Sequence, residues 1–163
     1  MKTRISGQAL VLFALIMPVL LGLLLVGIEL ASRNTSTREV RDAIRAANRS
    51  AVQTFDYAAF AENQLALADT NAVVVVARRL AAINLRGIAG LTLPPEMIAD
   101  RVTWTALSSD GACLLEPDGP TLHFATPVLC ASAEVELVSP LGFTWTTRIF
   151  AADTLDLSFS SAE

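Results

Sequence analysis

The sequence predicts an α+β protein, in which an N-terminal transmembrane helix extends into a long helix, a second helix follows, and a small antiparallel β-sheet ends the chain. Three observations support this prediction. An uncharged apolar run lies near the N-terminus, apolar residues then recur at helical spacing, and short alternating runs separated by turn signals follow the Pro94-Pro95 pair. Helical patterns followed by a group of strands are typical of α+β domains.

The uncharged run is 20 residues long, from Ala9 to Ile28, and Glu29 closes it. A helix rises about 1.5 Å per residue, so the run spans about 30 Å, the thickness of the hydrocarbon core of a bilayer. The apolar part of a secretory signal peptide is shorter, about 7–15 residues. The run is therefore predicted to be a membrane helix rather than a signal peptide that is discarded. Glu29, at its end, is expected to reach the lipid headgroups.

The residues after the apolar run continue a helical pattern. Ser36 and Glu39 have the spacing of a capping box, so the membrane helix either pauses and restarts there or runs straight through. Apolar residues then recur on one face, which is suited to packing on a domain or on neighbouring subunits; they are Val40, Ile44, Ala47, Ala51 and Phe55. The opposite face is basic, and it either lies against anionic headgroups or is solvated; its residues are Arg38, Arg41, Arg45 and Arg49.

A second helix is predicted from Asn71 to Arg86. Thr70 is the expected N-cap, and Gly87 lies just past the end, where glycine commonly terminates a helix. The run from Val73 to Val76 would also suit a buried strand, but the residues after it favour the helix.

Five β-type runs follow the two prolines: "RVTWTAL", "TLHFAT", "PVLCASAEVELV", "FTWTTRIFA" and "TLDLSFS". The turn signals "SSDG", "EPDGP" and "SPLG" lie between them. Polar and apolar residues alternate in "AEVELV" and "FTWTTRIF", which predicts antiparallel strands with one covered face. Trp104 and Trp145 are expected to pack in this sheet.

Charge and cysteine content bear on partners and location. Residues 1–54 carry seven Lys/Arg and three Asp/Glu, whereas residues 55–163 carry five and thirteen. The acidic distal part argues against nucleic-acid binding, which needs a positive surface. Two Lys/Arg precede the apolar run and up to five follow it, so the positive-inside rule places the distal part in the cytoplasm. The even cysteine pair, Cys113 and Cys130, instead favours export and a disulfide, with two free core thiols as the alternative.

Signals for catalysis are poor. The single histidine, His123, lies in a strand-like run, where a surface or hydrogen-bonded role is expected. No nucleophile elbow, phosphate-binding loop, CxxC pair or metal-spaced cluster is present in the sequence. The aspartates of "SSDG" and "EPDG" could bind calcium, but aspartate is also common in turns. The sequence therefore predicts a protein that is not an enzyme and that needs no cofactor or metal.

The stretch "ISGQALVLFALIMPVLLGLLLVGIELASR" resembles the N-terminal segment of TadE/TadG-like pseudopilins, the minor pilins of tight-adherence (Tad) type IV pilus systems. In that family a basic leader ends in Gly, and a Gln-Ala-x-Val-Glu-Phe-Ala-like stretch, a Leu-Pro and an apolar run ending near Ile-Glu follow it. The match covers about 27 residues, and its positions are Gly7, Gln8, Ala9, Val11, Phe13, Ala14, Pro18, Ile28 and Glu29. The following Ala-rich helix and β-rich tail fit more loosely.

The resemblance implies that a prepilin peptidase cuts between Gly7 and Gln8 at the cytoplasmic face of a bacterial membrane. It also implies a cytoplasmic N-terminus, an exported C-terminal domain and a helix that packs beside other pilins. One position departs from the family, because Leu12 stands where a glutamate usually pairs with the N-terminal amine of the neighbouring subunit. Either the protein occupies the filament tip, where no such amine needs a partner, or it never enters a filament.

The predicted organisation is a leader at 1–7, a transmembrane helix at 8–30, a helical stalk and second helix at 31–90, and a β-rich extracytoplasmic domain at 91–163. The expected function is that of a non-enzymatic minor pilin, in the cytoplasmic membrane or in an extracellular filament. The alternative is an uncleaved single-pass accessory subunit of another bacterial membrane complex. Small residues on the N-terminal helix would permit close packing in either case; they are Gly22, Gly27, Ala43, Ala47 and Ala51.

Overall fold

A computed structural model describes residues 5–54, 56–62, 66–67, 69–108, 111–114 and 121–155. Helix α1 runs without a break over Ile5–Val52, and its 48 residues reach about 72 Å. The helix therefore does not pause at Ser36, whose side chain is buried against the domain instead of capping a new helix. Pro18 lies inside α1 and does not end it, as is common in apolar spanning helices.

Two helices follow α1 in chain order, the short α2 (Tyr57–Ala61) and α3 (Thr70–Asn84). The second predicted helix is thus confirmed as α3, but its N-cap is Asp69 and not Thr70. The Asp69 carboxylate accepts a hydrogen bond from the backbone N–H of Asn71 at 2.9 Å, which satisfies one of the free donors of the first turn. Gly87 follows the end of α3 with φ of 90°, as predicted for a helix terminator.

The remaining described residues form one more helix and five strands. Pro95 opens the short helix α4 (Pro95–Arg101), which the sequence did not predict, because proline suits the first turn of a helix. Three antiparallel strands form the main sheet in the order β1, β4, β5, and β2 pairs with β3 in a separate hairpin. The strands are β1 (Thr103–Leu107), β2 (Gly111–Leu114), β3 (Thr121–Phe124), β4 (Val128–Val138) and β5 (Thr144–Thr154).

Four of the five predicted strand runs correspond to strands of this fold. The fifth, "TLDLSFS", is not a separate strand at its start, because Thr154 ends β5 and Leu155 is a buried residue after it. Its other residues lie outside the described part of the chain. Strand β2 was not predicted, since only four residues separate the "SSDG" turn from the next turn signals.

The core lies between the second half of α1 and one face of the main sheet. Buried residues from α1, α4, β4 and β5 form a single cluster there, joined by Leu85 after α3; they include Val40, Ile44, Ile98, Leu137 and Ile149. The predicted stripe on α1 is therefore confirmed at its four described positions, and Phe55 lies outside the described residues. Trp104 and Trp145 pack against this cluster, as predicted.

Strand β5 lies along α1 and runs in the same direction. Its start is beside the middle of the helix, where the Trp145 indole N–H donates to the Thr37 hydroxyl at 3.4 Å. Its end is beside the last turns, where Asp153 accepts a hydrogen bond from Asn48 at 3.1 Å. The turn between β4 and β5 consequently lies at the end of the domain that faces the apolar half of α1.

Candidate membrane and assembly site

The first half of α1 is not covered by the other residues that the structure describes. It is the one described helix long and apolar enough to cross a membrane, with a mean hydropathy of 2.9 in its most apolar window and none of that window buried. Leu12 and Phe13 are both exposed, as are the large apolar residues on every side of the helix up to Leu30. Such an all-round apolar surface fits a single-pass membrane protein.

The expected assembly residues divide into two groups. Gly22 and Gly27 lie in the uncovered half, and a Cβ atom added at either would meet nothing within 4 Å, so their close-approach surface is open. Ala43, Ala47 and Ala51 are instead buried within the chain, in contact with α3 and the sheet. These three alanines are therefore not open to packing between subunits, because the domain of the same chain already covers them.

Gly7, Gln8 and Pro18 are all helical residues of α1. The expected peptidase cleavage pair thus lies in the first turn, at the opposite end of α1 from the domain. The C-terminal half of α1 continues directly into the core, so the apolar segment and the domain share one helix.

Glu29 was predicted to reach the lipid headgroups, but its side chain does not extend away from the protein. The residue is only 8% exposed, and its Oε1 accepts a hydrogen bond from the Nε of Arg33 at 2.9 Å. The other carboxylate oxygen has no hydrogen-bond partner among the described residues. The spacing of four residues, with the acid first, is the favourable arrangement on a helix. The pair lowers the electrostatic cost of carrying an acid at the end of an apolar segment.

Arg33 also stacks on the sheet. Its guanidinium carbon lies 5.2 Å from the centre of the Trp145 ring, within the range of a cation–π contact. With the hydrogen bond from Trp145 to Thr37, this contact fixes the start of β5 on α1 just beyond the apolar run. No sequence pattern indicated this junction, since 108 positions separate Thr37 from Trp145.

A salt bridge between exposed side chains links the distal helices. Arg86 donates to Glu96 at 2.8 Å and so links the end of α3 to α4. The hydrogen bond from Arg86 is the main cause of a lowered pKa of the Glu96 carboxyl, and a weaker contribution comes from the backbone N–H of Glu96. The pair therefore stabilises the folded state at pH values above the ordinary pKa of glutamate. This stabilisation is lost as the pH falls through the lowered pKa of Glu96. Both side chains are exposed, so the contribution is small.

The cysteines form the expected disulfide between Cys113 and Cys130. Both are buried with Val128, and Phe124 and Phe150 pack against them. The bond joins β2 to β4 and fixes the small β2–β3 hairpin on the face of the sheet opposite α1.

The candidate chemical sites do not assemble into a reactive centre in the described part of the chain. His123 is exposed on β3, opposite Ala112, and borders a shallow groove with Phe124. No group of three His, Cys, Asp or Glu residues with metal-binding geometry occurs among the described residues. The aspartates of "SSDG" and "EPDG" lie outside those residues.

No protein-family model matches this chain, and neither curated proteins nor solved structures give a match.

Loss of the disulfide is expected to weaken the domain. The Cys113→Ser/Cys130→Ser protein should lose about 2–3 kcal/mol of unfolding free energy, because the bond restricts the unfolded chain. Guanidinium denaturation of the detergent-solubilised protein, followed by fluorescence of Trp104 and Trp145, would measure this loss. Dithiothreitol should reduce the stability of the parent protein by the same amount and leave the double variant unchanged. Equal stability of parent and variant without reductant would contradict the expectation.

Proposed function

We propose that this chain is a non-enzymatic minor pilin of the Tad-type pseudopilin class. The observation that carries the proposal is the division of α1 into a bare apolar half, with two open glycines, and a half embedded in an α+β domain. A bare helix of this kind can reside in a bilayer and can pack against similar helices. The leader and proline motif described above gives the class.

One further observation supports an exported domain. The Cys113–Cys130 bond is of a kind that persists outside the cytoplasm, where thiols are not kept reduced. The cytoplasmic N-terminus, the prepilin peptidase and the neighbouring pilins are parts of this proposal.

A second candidate function is an uncleaved accessory subunit of another membrane complex. The observation that favours it is Leu12, an exposed apolar residue that cannot neutralise the N-terminal amine of a neighbour. Within the first proposal, Leu12 is compatible with a location at the filament tip, where no preceding subunit's amine needs a partner.

The N-terminus of the protein purified from its native membrane tests the choice. We expect the mature chain to begin at Gln8, and Gly7→Val to leave the leader attached, because the peptidase must accept the residue before the cut. Gly22→Val is the matched control, since it adds the same side chain to the same helix at an open position and should leave processing intact. The intact mass, measured by mass spectrometry, shows for each protein whether residues 1–7 have been removed.

A mature protein that retains Met1 would contradict the pilin proposal and favour the accessory subunit. Sheared extracellular filaments should contain the processed protein, whereas an accessory subunit should remain in the membrane fraction with its complex. Processing without filament association would retain the peptidase as a partner and reject the tip location.

A further inference from the structure

The turn between β4 and β5 exposes two large apolar side chains. Leu141 is 45% exposed and Phe143 is 57% exposed. The turn is held by its own hydrogen bonds, because the Ser139 N–H donates to the Phe143 carbonyl at 2.9 Å and the Ser139 hydroxyl accepts from the Phe143 N–H at 3.1 Å. These bonds present both side chains outward in a defined conformation.

The position of this turn along α1 follows from the start of β5. Trp145 contacts Arg33 and Thr37, and Phe143 precedes Trp145 by two residues, or about 7 Å of extended chain. Because β5 runs away from the apolar segment, Phe143 lies on the membrane side of Trp145. Arg33 itself lies five residues beyond Ile28, which is about 7 Å along the helix. The exposed turn is therefore level with the end of the apolar run, where the helix would leave a bilayer.

We propose that the β4–β5 turn inserts Leu141 and Phe143 into the bilayer interface beside α1, as a second lipid contact of the domain. The partner is lipid because the turn continues the apolar surface of the spanning helix at the same depth. Arg33 and Trp145, at this level, are of residue types that occur at membrane interfaces. A single helix would let the domain swing about its exit point, whereas a second contact on one side fixes its tilt. The contact requires neither cleavage of the leader nor assembly of a filament.

Bromine quenching of an introduced tryptophan tests this contact in the full chain. The Phe143→Trp protein is reconstituted in vesicles of phosphatidylcholine and phosphatidylglycerol, with or without phosphatidylcholine brominated on its acyl chains. The matched control is Val75→Trp, because Val75 is an exposed apolar residue, at 63%, next to the part of α3 that packs on Ala51 at the far end of the domain. The parent spectrum is subtracted to remove Trp104 and Trp145.

We expect bromolipid to quench the added emission of Phe143→Trp at least about twofold more than that of Val75→Trp, since interfacial side chains reach the acyl boundary. Leu141→Trp should behave like Phe143→Trp, and it serves as the second probe if the first variant does not fold. Quenching at both turn positions no stronger than at Val75 would overturn the proposal. A blue-shifted emission that bromolipid does not quench would also overturn it, since a protein surface would then cover the turn.

Discussion

Replacing Asn48 by alanine should lower the free energy of unfolding by about 3–4 kcal/mol, through lost hydrogen bonds and a new cavity. Asn48 is fully buried on α1, and its amide donates to the carbonyl of Leu129 at 2.7 Å and to the carboxylate of Asp153 at 3.1 Å. In the variant, the Leu129 carbonyl on β4 and the Asp153 carboxylate on β5 both lose the hydrogen bond from the helix. Burial of an acceptor that has lost a hydrogen bond is costly, so the helix and sheet should separate more easily.

Guanidinium unfolding of the solubilised protein, followed by tryptophan fluorescence, measures this effect. Asn34→Ala is the matched control, because Asn34 is an exposed residue of the same helix and its loss should change stability by less than about 0.5 kcal/mol. Asn48→Asp keeps the shape but replaces the donor with a carboxylate beside Asp153, so it should be at least as destabilising as alanine. A stable Asn48→Ala protein would show that the amide does not join helix and sheet.

Gly90→Ala is expected to cost about 3 kcal/mol, because a left-handed backbone is unfavourable for alanine and one hydrogen bond is displaced. Gly90 has φ of 83°, and an added Cβ would lie far inside van der Waals contact with the carbonyl oxygen of Val138. The Gly90 carbonyl also accepts a hydrogen bond from the Val138 N–H at 2.7 Å. Leu91 bridges Leu137, so this segment covers the edge of β4 that β1 leaves open.

The Gly87→Ala variant separates the cost of the left-handed backbone from the cost of the displaced hydrogen bond. Gly87 has a similar φ of 90°, but a Cβ there would meet nothing within 4 Å. It should therefore cost only the backbone contribution of about 1 kcal/mol. Equal losses for the two variants, measured by the same denaturation, would mean that the contact with Val138 adds nothing at position 90.

Local patterns predicted much of this fold. The uncharged run gave α1, and polar–apolar alternation gave β4 and β5, because both signals depend only on neighbouring residues. The start of α3 is one position earlier than predicted, because Asp69 and Thr70 follow each other and both residue types can cap a helix. Helix α4 was missed since its paired prolines also mark a loop boundary.

The functional surface was less predictable, because it depends on contacts between distant positions. The sequence identified Glu29 but not its pairing with Arg33 under the start of β5. It identified Ala47 as a packing residue but not that its partner is Ala81 on α3 of the same chain. Leu141 lies in the predicted turn "SPLG" and Phe143 begins the predicted strand run "FTWTTRIFA", and neither pattern indicated the lipid contact that we propose.

The alignment of β5 with α1 has a consequence for the order of folding. The contacts of Asn48 span 81 and 105 positions, so the stalk of α1, although made early, has no strand partner until nearly the whole chain has been synthesised. Contacts of such long sequence separation form slowly. During this interval the apolar stripe on the second half of α1 is open to other proteins. Strand β5, the last strand in the described part of the chain, completes the main sheet and closes that stripe.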